Sequence, residues 1–401
     1  MKTTYLLLCL LGIGSVSGAG QTKQPQKIGD FIESTSYNEH RRNATRSLQY
    51  TPDGDDFVCI NGKNRFTRAL YGSHTAFRLE TSDRPVFAAY TKENPKHICF
   101  KLQTSGGTVA LDSTEHCESR YTAGRRSYSL FHPSFEGGNL SIATLALPDK
   151  EGAIWQFNAR NFKGSNPILL TSISEIRNSK LNRNGDMGAD PADSFEAPLQ
   201  PQQLQSFPVQ IDGTLYILLE NQELRTLTTA EGENLFKKAE AARSETASRI
   251  RIETPDPYFN TLGSTLAMAA DGIWDGEVWL HGAIGWRMPL SGWRAAYTGD
   301  VLGWHDRART HFNAYAASQV TEVPNTLPHP AQDSALHLAR SVKKWGTPQY
   351  SNGYICRNPH RNNQMHHYDM NLCYIDELLW HFKWTGDLDY VRQMWPVITR
   401  H

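Results

Sequence analysis

The stretch Ala295-Ala-Tyr-Thr-Gly-Asp-Val-Leu-Gly-Trp-His-Asp-Arg307 returns, in outline, as Phe382-Lys-Trp-Thr-Gly-Asp-Leu-Asp-Tyr-Val-Arg392. Each copy sets an aromatic residue before Thr-Gly-Asp and follows it with a segment that contains arginine. Glycine suits the left-handed residue that ends a helix, and aspartate suits the N-cap of the next one. The simplest reading makes Thr-Gly-Asp a turn between paired helices, with Asp300 and Asp387 as structural residues. A repeated helical hairpin is therefore expected in the C-terminal part of the chain.

Working outward, helical segments are expected at 258–270, 293–318, 333–345, 367–385 and 388–401. The last, with Leu388, Val391, Met394, Trp395 and Ile398, carries a large apolar face. A helical linker at 231–257 precedes them; it is rich in Ala, Glu, Lys and Arg and stopped by Pro255 and Pro257. Before the linker the pattern is β. Short apolar runs such as Phe57-Val-Cys-Ile60, Val86-Phe-Ala-Ala-Tyr90 and Leu215-Tyr-Ile-Leu-Leu219 are punctuated by Asn61-Gly62, Ser105-Gly-Gly107 and Gly137-Gly138. Many short strands without helical periods between them predict a β-sandwich over 20–230, with a polar surface loop at 178–208. The fold class is thus multidomain β + α: an N-terminal sandwich followed by helical hairpins at 258–401.

Residues 1–19 read as a signal peptide: Lys2, an apolar run from Tyr5 to Ile13, then Ser15-Val-Ser-Gly-Ala19. The run is too short to span a bilayer, so the mature protein is expected to be periplasmic or secreted, without membrane insertion. Five cysteines follow: Cys59, Cys99, Cys117, Cys356 and Cys373. No CxxC spacing occurs among them. Either one or two disulfides, the first of them among Cys59, Cys99 and Cys117, or free buried thiols are compatible with this set. Lys+Arg and Asp+Glu both number 41, and the absence of a basic excess argues against nucleic acid as a partner.

Nine of the ten tryptophans lie beyond residue 270, and four crowd Asp271-Gly-Ile-Trp-Asp-Gly-Glu-Val-Trp-Leu-His-Gly-Ala-Ile-Gly-Trp-Arg-Met-Pro-Leu-Ser-Gly-Trp-Arg294, with Trp304 just beyond. Flat aromatic faces beside short polar groups suit a carbohydrate. Asp275-Gly276 is a strong hairpin signal that sets Trp274 opposite Glu277; alternation then puts Glu277, Trp279 and His281 on one wall. Against this stands the plain reading of Asp275 and Glu277 as turn residues. Trp286-Arg287 and Trp293-Arg294 repeat seven residues apart, and their guanidiniums either grip a uronate or stack on the indoles. A third group, Gln364-Met-His-His-Tyr-Asp-Met-Asn371, crowds His367, Tyr368 and Asp369 at a loop-to-helix junction, where Asp369 is either a cap or a site residue. Asp376 and Glu377 lie two turns along, too far to pair with Asp369 in glycoside hydrolysis. Neither metal nor cofactor is expected: adjacent His366 and His367 diverge on a helix, and HExxH is missing.

Trp279-Leu-His-Gly-Ala283, Trp286 to Arg294, Tyr297 to Arg307, His367-Tyr-Asp-Met-Asn371 and Asn61 to Gly72 together resemble secreted Bacteroidetes proteins with domain of unknown function 4450, within the six-hairpin (α/α)6-toroid glycosidase superfamily. The resemblance implies an incomplete toroid at 258–401, C-terminally truncated, and a place among polysaccharide-degrading systems. The expected function is a glycoside hydrolase-like protein acting on a plant or host glycan, with Glu277 and Asp369 catalytic. Trp279, His281, Trp286, Arg287, Trp293, Arg294, Trp304, His367 and Tyr368 are expected to bind substrate. Two alternatives remain open. One is a polysaccharide lyase with Tyr368 or His367 as base and Arg287 or Asn371 on the uronate; the other is a non-catalytic glycan-binding protein. The carbohydrate reading requires the indoles to converge on one cleft.

Overall fold

Alternation decides the first half of the chain. In Asn139–Ala146 and Ile168–Glu175 nearly every second residue is buried, so each strand lays one face on a core. The computed structural model describes residues 50–63, 68–72, 77–90, 96–164, 166–175, 203–282, 287–292, 295–321, 332–333, 338–339, 353–361 and 369–401, all within the unit Gln49–His401. The strands before residue 228 form two antiparallel sheets. The larger runs β1 (Thr51–Asp53), β2 (Asp56–Ile60), β8 (His116–Thr122), β9 (Arg125–Phe131), β10 (Asn139–Ala146), β11 (Gly152–Arg160), β14 (Thr214–Glu220), β15 (Glu223–Leu227). The second runs β13 (Gln203–Gln210), β12 (Ile168–Glu175), β6 (Lys96–Thr104), β5 (Val86–Tyr90), β4 (Arg78–Thr81), β3 (Arg68–Tyr71), with β7 (Gly107–Ala110) on β6. One apolar core fills the space between them, and Phe87 of one sheet meets the buried Trp155 of the other edge-on, at 5.4 Å.

β14 breaks the alternation because both its faces are covered. Leu215, Ile217 and Leu219 point into the inter-sheet core, whereas Tyr216 and Leu218 lie under Ala239 of helix α1 (Thr229–Ala247). A capping box starts that helix: Thr228 Oγ1 accepts from the Glu231 amide, and the Glu231 carboxylate accepts from the Thr228 amide. α1 ends at Ala247, before the expected prolines, and an extended segment carries the chain to α2 (Pro257–Asn260) and α3 (Leu262–Gly272).

The hairpin echo is met in only one copy. Between α6 (Asp369–Thr385) and α7 (Leu388–Arg400), Gly386 takes φ +63° and Asp387 caps the Tyr390 amide, as the pattern predicts. In the earlier copy Thr298-Gly-Asp300 lies inside α4 (Ala295–Val301), and the turn comes later, at Gly303, before α5 (His305–Ala316). The glycine there serves packing: a Cβ on Gly299 would sit 2.3 Å from the Trp279 ring. Asp300 is buried and accepts from His305 and His381 at 2.7 and 2.9 Å, tying α5 to α6.

α4 and α5 both pack on α6, and α6 on α7. Their shared core includes Trp274, Trp279, Phe312, Tyr374, Leu378 and Met394. Leu372, Trp380, Trp384, Leu388 and Trp395 remain exposed on α6 and α7. Within the segment expected as a helix at 333–345, Asp333 belongs to a short antiparallel pair, Gln332–Asp333 with Leu338–Ala339; residues 340–345 lie outside the described residues. Residues 203–208, expected in a loop, belong to β13, and 178–202 lie outside the described residues. Among the described residues no disulfide joins the five cysteines. Burial pushes Cys117 up to about 12, which makes it an unreactive core thiol.

Candidate active site

The hairpin after α3 is built by one side chain. Asp275 Oδ1 accepts from the amides of Glu277 and Val278 at 3.0 and 2.8 Å, while the Asp275 amide donates to the Val278 carbonyl. These bonds make a four-residue loop, 275–278, so Trp274 pairs with Trp279 rather than with Glu277. The expected register is corrected, and with it the expected wall. Glu277 rides the tip with its side chain 48% exposed. Trp279 is 0% exposed, closed in by Trp274 at 4.7 Å, by the His311 ring and by the Cα of Gly299. A four-residue loop shifts every later side chain, which turns Trp279 into the core; it offers no stacking face.

Glu277 meets a partner that the sequence gives no reason to single out. His360 Nε2 lies 2.6 Å from Glu277 Oε1, across 83 residues. His360 adopts φ +57°, and its amide donates to the Ala314 carbonyl near the end of α5. The segment 353–361 is clamped to α6 by Asn371, whose side chain accepts from the Ile355 amide at 2.7 Å and donates to the Ile355 carbonyl at 3.0 Å. The loop that holds Glu277's partner is thereby fixed to the first turn of the helix that Asp369 begins. The side chain of Asp369 lies outside the described residues.

Beneath this cluster, Tyr315 places a buried hydroxyl that has no hydrogen-bond partner among the described residues. Burial raises its pKa well above the ordinary value; the fields of Asp275, Glu377 and Glu277 act in the same direction, against Arg357. The phenol is neutral at any physiological pH. The neighbouring His311 is neutral too. Burial drops it to about 3, with a backbone contact to Ser291 acting weakly the other way, and its Nδ1 accepts from the Trp279 amide. Both residues sit on α5 at spacing i, i+4, and without tertiary structure they read as ordinary core positions.

The remaining expected residues disperse. His281 is half-buried, its amide bonded to the Met288 carbonyl. Arg287 donates to the Gly272 carbonyl at 3.2 Å, and burial lowers its pKa. Trp304 is 6% exposed and lines a separate cavity with Tyr71 and Met268. Asp376 accepts from Tyr297, and Glu377 is buried. Trp286, Trp293, Arg294, His367 and Tyr368 lie outside the described residues.

What the cluster can do chemically is proton transfer: a half-exposed carboxylate hydrogen-bonded to an imidazole, over a neutral phenol. Among the described residues, no group of three or more His, Cys, Asp or Glu is placed to hold a metal ion, and no helix is long and apolar enough to cross a membrane. A comparison with curated proteins finds no match. Residues 95–249, which span strands β6 to β15 and helix α1, match the model of the family described as domain of unknown function (DUF4450).

Proposed function

We propose that the chain is a glycoside hydrolase-like protein, exported to the periplasm or secreted, that acts on a plant or host polysaccharide or oligosaccharide. In this reading α4–α7 are hairpins of an (α/α)6 toroid. Glu277 and Asp369 are the carboxylates: one protonates the glycosidic oxygen, and the other activates water or attacks the sugar. The observation that supports it most is Glu277 itself. Its carboxylate stays half exposed on a turn built by Asp275, beside His360, in a loop cluster anchored to the start of α6. The reading no longer leans on a stacking wall, since Trp279 belongs to the core.

Lyase chemistry finds less support. Asn371, one of its candidates for neutralising a uronate, is engaged on both sides of Ile355, and Arg287 is bonded to Gly272. The test is incubation with a panel of defined plant and host polysaccharides, products being read by mass. Hydrolysis adds one water per cleaved bond, whereas a lyase leaves an unsaturated sugar with new ultraviolet absorbance. Glu277→Gln and Asp369→Asn should each abolish hydrolysis in a folded protein. Full activity in both would remove these carboxylates as catalysts, and binding without turnover would favour a non-catalytic glycan-binding protein.

A further inference from the structure

The cavity that Trp304 lines lies where the sandwich, α1 and the later helices meet, and its volume is ≈ 150 Å³. Three arginines line it: Arg243 and Arg249 from α1 and the residues just after it, and Arg307 from α5. Their partners differ. Arg243 uses each of its three nitrogens, in two bonds to Glu240 and one to the Ala123 carbonyl. Arg307 gives one nitrogen to Asp271, at 2.7 Å, and lies 4.4 Å from the Trp304 ring centroid. Arg249 donates to the Leu302 carbonyl at 3.0 Å and lies 4.9 Å from the same ring. Among the described residues, no carboxylate lies within ion-pair distance of Arg249.

Arg249 and Arg307 both line the cavity and both lie against the Trp304 ring. Both keep N–H groups without partners among the described residues. A guanidinium fork with unused donors is the group best matched to a carboxylate or sulfate. Two carboxylates line the cavity: Asp271, already paired with Arg307, and Glu245, exposed, one turn before Arg249 and in no ion pair among the described residues.

We propose that this junction cavity binds a compact oxyanion, a carboxylate or a sulfate, with Arg249 as principal donor and Arg307 as second. The site lies apart from Glu277 and His360, and its existence does not depend on the hydrolase reading. The probes are D-glucuronate, sodium sulfate and D-glucose, titrated into the full chain at low ionic strength, with calorimetry and tryptophan fluorescence as readouts.

At least one oxyanion should bind saturably and glucose should not; which oxyanion binds tells carboxylate from sulfate. Losing a charged hydrogen-bond donor should weaken binding about tenfold to a hundredfold, so Arg249→Gln is expected to do so in a protein that still unfolds cooperatively. Glu245→Gln should tighten binding by removing the competing carboxylate, and Glu277→Gln should leave it unchanged. The proposal is overturned if neither oxyanion saturates, if glucose binds equally well, or if Arg249→Gln and Glu245→Gln both leave the affinity where it was. Failure of hydrolysis in the polysaccharide panel would not touch it.

Discussion

Replacing Trp279 by alanine separates a core indole from a ligand-stacking one. The side chain is fully buried, against Trp274, His311 and the backbone of Gly299. An indole of this kind hides about 150–250 Å², which at about 25 cal/mol per Å² is worth roughly 4–6 kcal/mol. Measured truncations of buried Phe or Trp to Ala cost about 3–5 kcal/mol, because the site relaxes only in part. Trp279→Ala should therefore remove about 3–5 kcal/mol, a large share of the roughly 5–15 kcal/mol that holds a domain together. Trp279→Leu, which refills part of the space, should lose less. Urea denaturation at constant m-value is the assay. Gly299→Ala supplies the matching half of a double-mutant cycle. Its new methyl collides with the Trp279 ring, so it should cost about 1–3 kcal/mol alone and distinctly less beside Trp279→Leu. If Trp279→Ala lost under about 1 kcal/mol while glycan binding vanished, the ring would be facing ligand and the packing argument would fail.

Two further outcomes follow from the same region. Unfolded His311 titrates near 6.5 and folded His311 at about 3. Between those values the unfolded chain binds more protons, so stability should fall as pH falls from 6.5 toward 3, by about 1 kcal/mol per pH unit from this residue; a His311→Gln variant that keeps the same slope would show that the imidazole is not responsible. Asn371→Ala should cost about 1–3 kcal/mol by stranding the Ile355 amide and carbonyl. Amide exchange at Ile355 should accelerate well beyond that of the α6 interior, and unchanged protection there would mean that the clamp is not what fixes the loop.

Much of the architecture was legible because it follows from local rules. Period-two alternation marks β10 and β12, and the continuous apolar run at Leu215–Leu219 marks a strand covered on both sides, which α1 then explains. Gly386-Asp387 reads correctly as a helix stop and start, since a left-handed glycine and an N-cap need only their own neighbours. The same three letters misled at 298–300. There the reason for glycine is the Trp279 ring, some twenty residues away, and no local signal separates a glycine needed for its φ from one needed for its lack of a side chain.

The candidate site shows the same division. From its own sequence the chain determines that Asp275-Gly276 turns and that a carboxylate stands at the tip. The sequence reads as a two-residue hairpin where the chain builds a four-residue one, because both accept Asp-Gly, and that difference sends Trp279 inward instead of outward. His360 and Tyr315 carry no motif. They become site residues only when the ends of α5 and α6 meet the 353–361 segment, through hydrogen bonds spanning 16 to 83 residues. Likewise Arg249 and Arg307 are unremarkable in the sequence until packing of α1 against the later helices sets both beside Trp304. Backbone preference acts over a few residues and can be read there; which side chains share a cleft is settled by the packing of distant surfaces, and only the folded chain records it.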